Sequence, residues 1–147
     1  MNRYFFSDFG QRLAIGKESE SAFEKFCHSK NLNVVFVSTH RDKPKASVVR
    51  HFPDYFVVDW AAFVQIKNGK ESGKWSTVIA QKESIDTCNK IHGFGSKVIV
   101  AWEMPDGSFH GNYIEKLDIV AKISEDARKN GSGTAAYRIN KTSLKKL

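Results

Sequence analysis

Residues 53–69 read PDYFVVDWAAFVQIKNG, and this stretch decides the fold. It holds two runs of β-branched and aromatic residues, at 55–58 and at 62–67, which is the composition of β-strands. The connection between the two runs, at 59–61, is only three residues long. A connection this short joins antiparallel neighbours, so the stretch predicts a β-hairpin.

The alternation of side chains along the second strand predicts which of them share a face. Residues two apart in a strand point to the same side of the sheet. Gln65 and Lys67 therefore point one way, whereas Val64 and Ile66 point to the opposite side, which is the predicted core. Because the connection is short, Asp54 lies across the hairpin from the Gln65–Lys67 end. The hairpin thus brings a carboxylate, an amide oxygen and an ammonium group together.

The region before the hairpin predicts one helix and one strand. Residues 17–30 carry apolar side chains at three- and four-residue spacing, which is typical of an amphipathic helix. The short β-branched run at 34–38 predicts a strand, and a polar basic loop follows it. The apolar stripe of the helix consists of Ala22, Phe23, Phe26 and Cys27.

The region after the hairpin predicts two more helices around another strand. The first helix runs from about 76 to 91 and ends at Gly93 and Gly95. A buried strand at 97–102 and a turn at 104–108 follow. A further helix from about 113 to 129 precedes a glycine-rich break at 131–133. The inward-facing residues are predicted to be Ile79, Ile85, Cys88 and Ile91 in the earlier helix, and Tyr113, Leu117, Val120 and Ile123 in the later one.

This order of elements predicts an α/β fold with a central mixed β-sheet flanked by helices. The hairpin requires antiparallel pairing, whereas a helix between the third and fourth strands allows those two strands to run parallel. We interpret residues 1–147 as a single domain. Its helix, three strands, helix and strand form a core at about 16–103. The added turn and helix cover 104–130, and a basic C-terminal extension covers 131–147.

Composition excludes several classes of protein. The chain has 147 residues, 41% of them hydrophobic, and its longest apolar stretches are far shorter than a membrane span. It has two cysteines, Cys27 and Cys88, which are too few for a disulfide framework and have no metal-ligand spacing. The N-terminus shows no secretory signal pattern. An intracellular setting, cytoplasm or nucleoid, is therefore expected, with no membrane partner.

The positive charge is clustered, which favours a nucleic-acid partner. The formal net charge is +7, and residues 128–147 contribute six basic residues and no acidic one. Clustered cations attract phosphate through counterion release, although a merely solvated surface is the alternative. The residues predicted to contact DNA are Arg41, Lys43, Lys45, Arg50, Lys70, Lys74, Arg138, Lys141, Lys145 and Lys146.

The hairpin constellation is suited to metal-assisted hydrolysis. Mg²⁺ takes oxygen ligands and is commonly held by one or two protein carboxylates. Asp54 and Gln65 supply such oxygens, and the ammonium group of Lys67 would orient or deprotonate an attacking water or neutralise phosphate charge. Asp59 is rejected as a primary ligand because it falls in the hairpin connection, at the far end from Lys67.

The Pro53-Asp54 pair, followed at hairpin distance by Gln65-Ile66-Lys67, resembles the active-site signature of the PD-(D/E)XK nuclease superfamily. Glutamine stands here in place of the acidic residue of the last motif. Upstream, the segment 16–20, with sequence GKESE, opens a helix ahead of a strand and resembles the first motif of archaeal-type Holliday junction resolvases. The resemblance covers about residues 16–103 and implies a restriction-endonuclease-like fold.

The resemblance also implies an activity and a set of site residues. It implies a DNA endonuclease dependent on Mg²⁺ or Mn²⁺, with Glu20, Asp54, Gln65 and the Ile66 backbone carbonyl as metal ligands and Lys67 assisting the attack of water. Glu24, one helical turn after Glu20, is the substitute carboxylate. The short chain leaves little room for a recognition domain, so a homodimer acting on Holliday junctions or other branched DNA in recombination or repair is expected.

Two other functions stay open at this point. A noncatalytic DNA-binding or nuclease-inhibiting relative would explain Gln65 as the trace of a lost metal site. A restriction-type nuclease would instead cut linear duplex DNA. A virus or mobile element is a plausible source for so compact a nuclease.

Overall fold

The computed structural model describes residues 9–37, 52–124 and 135–147, which form two helices and nine strands. No helix within these described ranges is long and apolar enough to cross a membrane. In chain order the elements are α1 (Phe9–Ser29), β1 (Val34–Phe36), β2 (Tyr55–Val57), β3 (Ala62–Asn68), β4 (Thr77–Gln81), α2 (Lys82–Gly93), β5 (Lys97–Glu103), β6 (Phe109–Tyr113), β7 (Ile119–Ile123), β8 (Ala136–Asn140) and β9 (Lys145–Lys146).

A six-stranded sheet forms the centre of the fold, with the strand order β1-β2-β3-β5-β6-β9. Strands β3 and β5 run parallel, and all other neighbours in this sheet are antiparallel. The predicted hairpin is present, with Tyr55 opposite Val64 and a tight connection that ends at Ala61 in the left-handed region, φ 49°. The predicted mixed sheet with flanking helices is therefore confirmed.

Helix α1 covers one face of the central sheet. Phe23 and Cys27 are fully buried against Tyr55, Val64 and Ile66, so the predicted helix stripe and the predicted core face of β3 are both confirmed. The prediction that the helix begins at residue 17 was wrong, because α1 begins at Phe9. Gly16 lies inside the helix, where a glycine costs only about 1 kcal/mol relative to alanine and does not end it.

A second sheet, with the order β4-β8-β7, packs together with α2 on the other face of the central sheet. Val78 and Ile139 from the second sheet share a buried cluster with Val100 and Trp102 of β5. The indole Nε1 of Trp102 donates a hydrogen bond of 3.0 Å to the backbone carbonyl of Ile79. This contact fixes β4 over the C-terminal half of β5.

The helix predicted for residues 76–91 is wrong in its first part. Residues 77–81 form strand β4, and α2 begins only at Lys82. Burial alternates along β4, with Val78 and Ala80 buried but Ile79 exposed, and this two-residue period is that of a strand. The later part is correct: Ile85 and Cys88 are buried, and the helix ends at Gly93.

The helix predicted for residues 113–129 is also wrong. Residues 119–123 form strand β7, with Val120 exposed, and residues 125–129 lie outside the described ranges. The segment interpreted as a basic C-terminal extension contributes β8 to the second sheet and β9 to the central sheet. The run at 119–123 pairs with β8. The spacing of apolar residues within one segment carries no information about such a partner in another segment.

Candidate active site

Asp54 lies immediately before β2 and is buried. Because Tyr55 is opposite Val64 in the hairpin, Asp54 is opposite Gln65. Its Oδ2 accepts two hydrogen bonds of 3.1 Å, one from the backbone N–H of Ile66 and one from Nε2 of Gln65. The carboxylate is thus held against β3 as the hairpin predicts.

Gln65 presents an oxygen in the interior that no group in the described residues satisfies. Its side chain is buried, and Nε2 is engaged by Asp54. No group in the described residues donates a hydrogen bond to Oε1, which is shielded from solvent. Turning the amide over would place Oε1 against the carboxylate of Asp54, so the observed orientation is the favourable one. A buried acceptor left in this way costs about 1–3 kcal/mol.

Lys67 lies two residues beyond Gln65 and points to the α2 side of the sheet. Its Nζ donates a hydrogen bond of 2.9 Å to Oγ of Ser84, a buried residue in the first turn of α2. Sequence reasoning missed Ser84. The start of α2 at Lys82 rather than at residue 76 is what places this serine over the end of β3.

Glu20 and Glu24 lie close to Tyr55, the residue after Asp54. The Tyr55 hydroxyl donates a 3.4 Å hydrogen bond to the backbone carbonyl of Glu20. Burial, followed by the negative charges of Glu24 and Glu20, raises the pKa of Tyr55 far above its usual range. Within the described ranges, no three or more His, Cys, Asp or Glu side chains are grouped so that they would hold a metal.

A second buried carboxylate, Glu103, ends β5. Its Oε1 accepts a 3.0 Å hydrogen bond from Oγ of Ser19 in α1, and its Oε2 lies 3.4 Å from Nζ of Lys70. In the parallel register Glu103 is opposite Asn68, whose Nδ2 is buried without an acceptor in the described part of the chain. Sequence reasoning missed Glu103, although a carboxylate directly after the apolar run 98–102 was a usable signal.

The residues predicted to contact DNA fall into two sets. Arg41, Lys43, Lys45 and Arg50 lie outside the described residues. The described members lie in the loop after β3 and along the C-terminal strands: Lys70, Lys74, Arg138, Lys141, Lys145 and Lys146. Of these, the Arg138 guanidinium stacks over the Trp75 ring and Nζ of Lys141 donates to the backbone carbonyl of Ser72. Lys145 and Lys146 are exposed on β9.

A mixed sheet in which the hairpin β2–β3 is followed by a helical crossover to a parallel β5, with α1 packed on one face, is a restriction-endonuclease-like fold. The solved structure of Hjc, a Holliday junction resolvase from the archaeal hyperthermophile Archaeoglobus fulgidus, matches with a TM-score of 0.55, covering 87% of this chain and 85% of that chain. Sequence identity is 12%, so the similarity is one of fold. No family model and no curated protein matches the sequence.

Proposed function

We propose that the protein is a divalent-metal-dependent DNA endonuclease that hydrolyses phosphodiester bonds. The observation that carries this proposal is the Oε1 atom of Gln65, which no group in the described residues satisfies, on the amide whose Nε2 bonds the carboxylate of Asp54. Carboxylate and amide oxygens are the ligand types that a hard cation takes, and a bound cation would satisfy the acceptor that the described residues leave without a donor. The fold shared with a Holliday junction resolvase supports the same assignment.

The residues present fit a hard divalent cation. Asp54, the Oε1 atom of Gln65 and the backbone carbonyl of Ile66 would hold Mg²⁺ or Mn²⁺, and Glu20 would complete the set from α1. Two carboxylates with neutral oxygens suit Mg²⁺, which keeps several waters and takes further oxygens from substrate phosphate. When bound, such an ion activates water as a nucleophile and neutralises phosphate charge.

Lys67 would act on the scissile phosphate or on the attacking water. Its ammonium group is the cation on the strand that carries Gln65, and the hydrogen bond to Ser84 fixes its direction. A fixed positive charge stabilises negative charge that develops on phosphate oxygens in the transition state. Ser84 would act through Lys67 and is therefore a positioning residue.

Branched DNA, bound by a homodimer, is the proposed substrate. Two active sites in a symmetric dimer would place one site on each of two strands. The basic residues would contact the phosphate backbone, which contributes affinity and orientation but no sequence information. This arrangement reads the shape of DNA rather than a long base sequence.

A cleavage assay tests the proposal directly. The purified protein is incubated with a labelled four-way junction or with a linear duplex of the same sequence, in Mg²⁺, Mn²⁺ or EDTA. We expect symmetric cutting of the junction that requires the metal and is lost in Asp54→Ala and in Lys67→Ala. Cutting of both substrates would support the nuclease activity and contradict the specificity for junctions. Salt-sensitive binding without cleavage of either would support the noncatalytic alternative.

Two control variants show whether a loss of cleavage comes from the candidate active site or from removing a charge elsewhere in the protein. Asp59→Asn removes the other carboxylate of the hairpin, at the far end of the two strands, where it accepts the backbone N–H of Asn33. Lys97→Ala removes an exposed lysine at the start of β5, where β5 pairs with Ala62 rather than with Lys67. Both controls are expected to cleave at the wild-type rate.

A further inference from the structure

Trp75 is a large aromatic residue that the fold leaves in water. Its side chain is 61% exposed, whereas Trp102 is fully buried. The backbone N–H of Trp75 donates to the carbonyl of Ser72 at 2.9 Å, which anchors the base of the side chain. The Arg138 guanidinium lies over the ring, 5.5 Å from its centroid. The indole is thus held by two contacts and still presents most of its surface to solvent.

A short chain of contacts connects Trp75 with the candidate active site. Lys67 is opposite Trp102 in the register between β3 and β5. The indole of Trp102 bonds the carbonyl of Ile79, and Ile79 is opposite Arg138 in the second sheet. Arg138 in turn contacts Trp75. The exposed ring lies in the loop that directly follows β3, next to the outer face of the second sheet, which covers the Lys67 side of the central sheet.

The surroundings of Trp75 carry mostly positive charge. Lys74 precedes it and is exposed. The backbone N–H of Lys141 donates to Ser76 at 2.9 Å, and its ammonium group donates to Ser72, so this lysine is tied to both sides of Trp75. Glu71 is the acidic residue of the same loop. We call Lys74, Trp75, Arg138 and Lys141 the Trp75 patch.

We propose that the Trp75 patch binds an unpaired nucleobase of DNA. In a duplex the faces of the bases are covered by neighbouring base pairs, so a protein indole stacks only on a base that is unpaired or terminal. Arg138 occupies one side of the ring and leaves the other for the base, while the cations contact the flanking phosphates. The inference rests on the proposed function and narrows its substrate to DNA that contains unstacked nucleotides, as occurs at a branch point.

Binding in EDTA tests this inference without cleavage. The probes are a labelled 15-nucleotide oligo(dT) strand, the same strand with abasic sites in place of its bases, and a duplex closed at both ends by non-nucleotide linkers, so that it has no unpaired base. Trp75→Ala is expected to weaken binding to oligo(dT) about tenfold. It is expected to change binding to the abasic strand and to the closed duplex less than about twofold, because those contacts are made to phosphate. Trp75→Phe keeps a stacking surface and should retain most of the affinity.

Phe94→Ala is the matched control, because Phe94 is 91% exposed and lies in the turn before β5, at the end of the sheet away from Lys67. It should bind oligo(dT) like the wild type. Equal losses in the two variants, or the same loss on the abasic strand, would overturn the inference. If Trp75→Ala binds like the wild type while the junction is still cut, only this inference fails. If the base-dependent loss occurs in a protein that cuts no DNA, the patch stands and the proposed function fails.

Discussion

Asp54 and Glu103 are equally buried carboxylates beside the C-terminal half of β3, but their surroundings differ. Glu103 receives a serine hydroxyl and a lysine ammonium group, and the unsatisfied atom near it, Nδ2 of Asn68, is a donor. The unsatisfied atom beside Asp54, Oε1 of Gln65, is an acceptor. Glu103 thus lies beside an ammonium group, whereas Asp54 accepts N–H groups from the strand that carries the amide oxygen of Gln65. Burial of a carboxylate is therefore a weak indication of function, and the polarity of its neighbours is the informative part.

The largest effect is expected when each of the two carboxylates is replaced by an amide. This pair of variants tests whether the two sites differ in function. Asp54→Asn should lower metal-dependent cleavage by more than about a hundredfold, since even the outer partners of metal ligands are worth about 10–100-fold. Glu103→Gln should leave kcat unchanged and lower the free energy of unfolding by about 1 kcal/mol, because Lys70 is part-exposed. Initial cleavage rates and urea denaturation measure the two quantities. Equal losses of activity in the two variants would remove the distinction between the sites.

Gln65→Glu places a second carboxylate beside Asp54 and so tests more closely how this site differs from the site of Glu103. Without metal, a second buried carboxylate beside Asp54 should lower Tm by roughly 5–10 °C, because two like charges share one site. Adding Mg²⁺ should restore Tm, and cleavage should reach half its maximum at a lower Mg²⁺ concentration than in the wild type. Thermal denaturation with Mg²⁺ or EDTA follows the effect. A Tm that Mg²⁺ leaves unchanged would speak against a cation at this position.

The local part of this site could be predicted from sequence because it depends on a single hairpin. The two-residue period of β3 and a short connection determine that Asp54 is opposite Gln65 and that Lys67 shares its face. The same reasoning predicted the buried stripe of α1. The hydrogen bonds of this hairpin join residues no more than a dozen positions apart along the chain.

The remainder depends on contacts that local patterns do not encode. Ser19 and Glu103 are 84 positions apart, and Trp75 meets Arg138 only after β4 and β8 have paired. Residues 77–81 and 119–123 read locally as parts of helices, and they become strands because β8 pairs with both. A long-range partner of this kind overrides local helix propensity.

Two buried serines extend the comparison. Ser19 bonds Glu103, whereas Ser84 bonds Lys67 in the candidate active site. Ser84→Ala should lower kcat about tenfold with KM unchanged, because the direction of the Lys67 ammonium group is lost. Ser84→Thr keeps the hydroxyl and should rescue the rate. Ser19→Ala should leave kcat unchanged and lower the free energy of unfolding by about 1–2 kcal/mol. Steady-state kinetics on the junction would contradict this assignment if Ser84→Ala raised KM alone.

The smallest effect is expected from the α1 side, where Cys27 is a structural residue. Burial, followed by the charge of Glu24, raises the pKa of the Cys27 thiol from 9.0 to about 11. The neutral thiol is favoured in the folded state, so its contribution is complete below pH 9 and is lost as the pH rises to 11. Between pH 9 and pH 11, ionisation of the Cys27 thiol should lower the free energy of unfolding by roughly 1–2 kcal/mol. Urea denaturation of Cys27→Ala should show a shallower dependence on pH, and an unchanged slope would contradict the assignment.

Direct titration of the protein with Mn²⁺, followed by electron paramagnetic resonance, tests the central claim that Asp54 and Gln65 form a cation site. The wild type and Glu103→Gln should show the same class of bound Mn²⁺, which Mg²⁺ displaces. Asp54→Asn should lose this signal, and Gln65→Leu should weaken it. Binding that survives in Asp54→Asn, or that disappears in Glu103→Gln, would contradict the account.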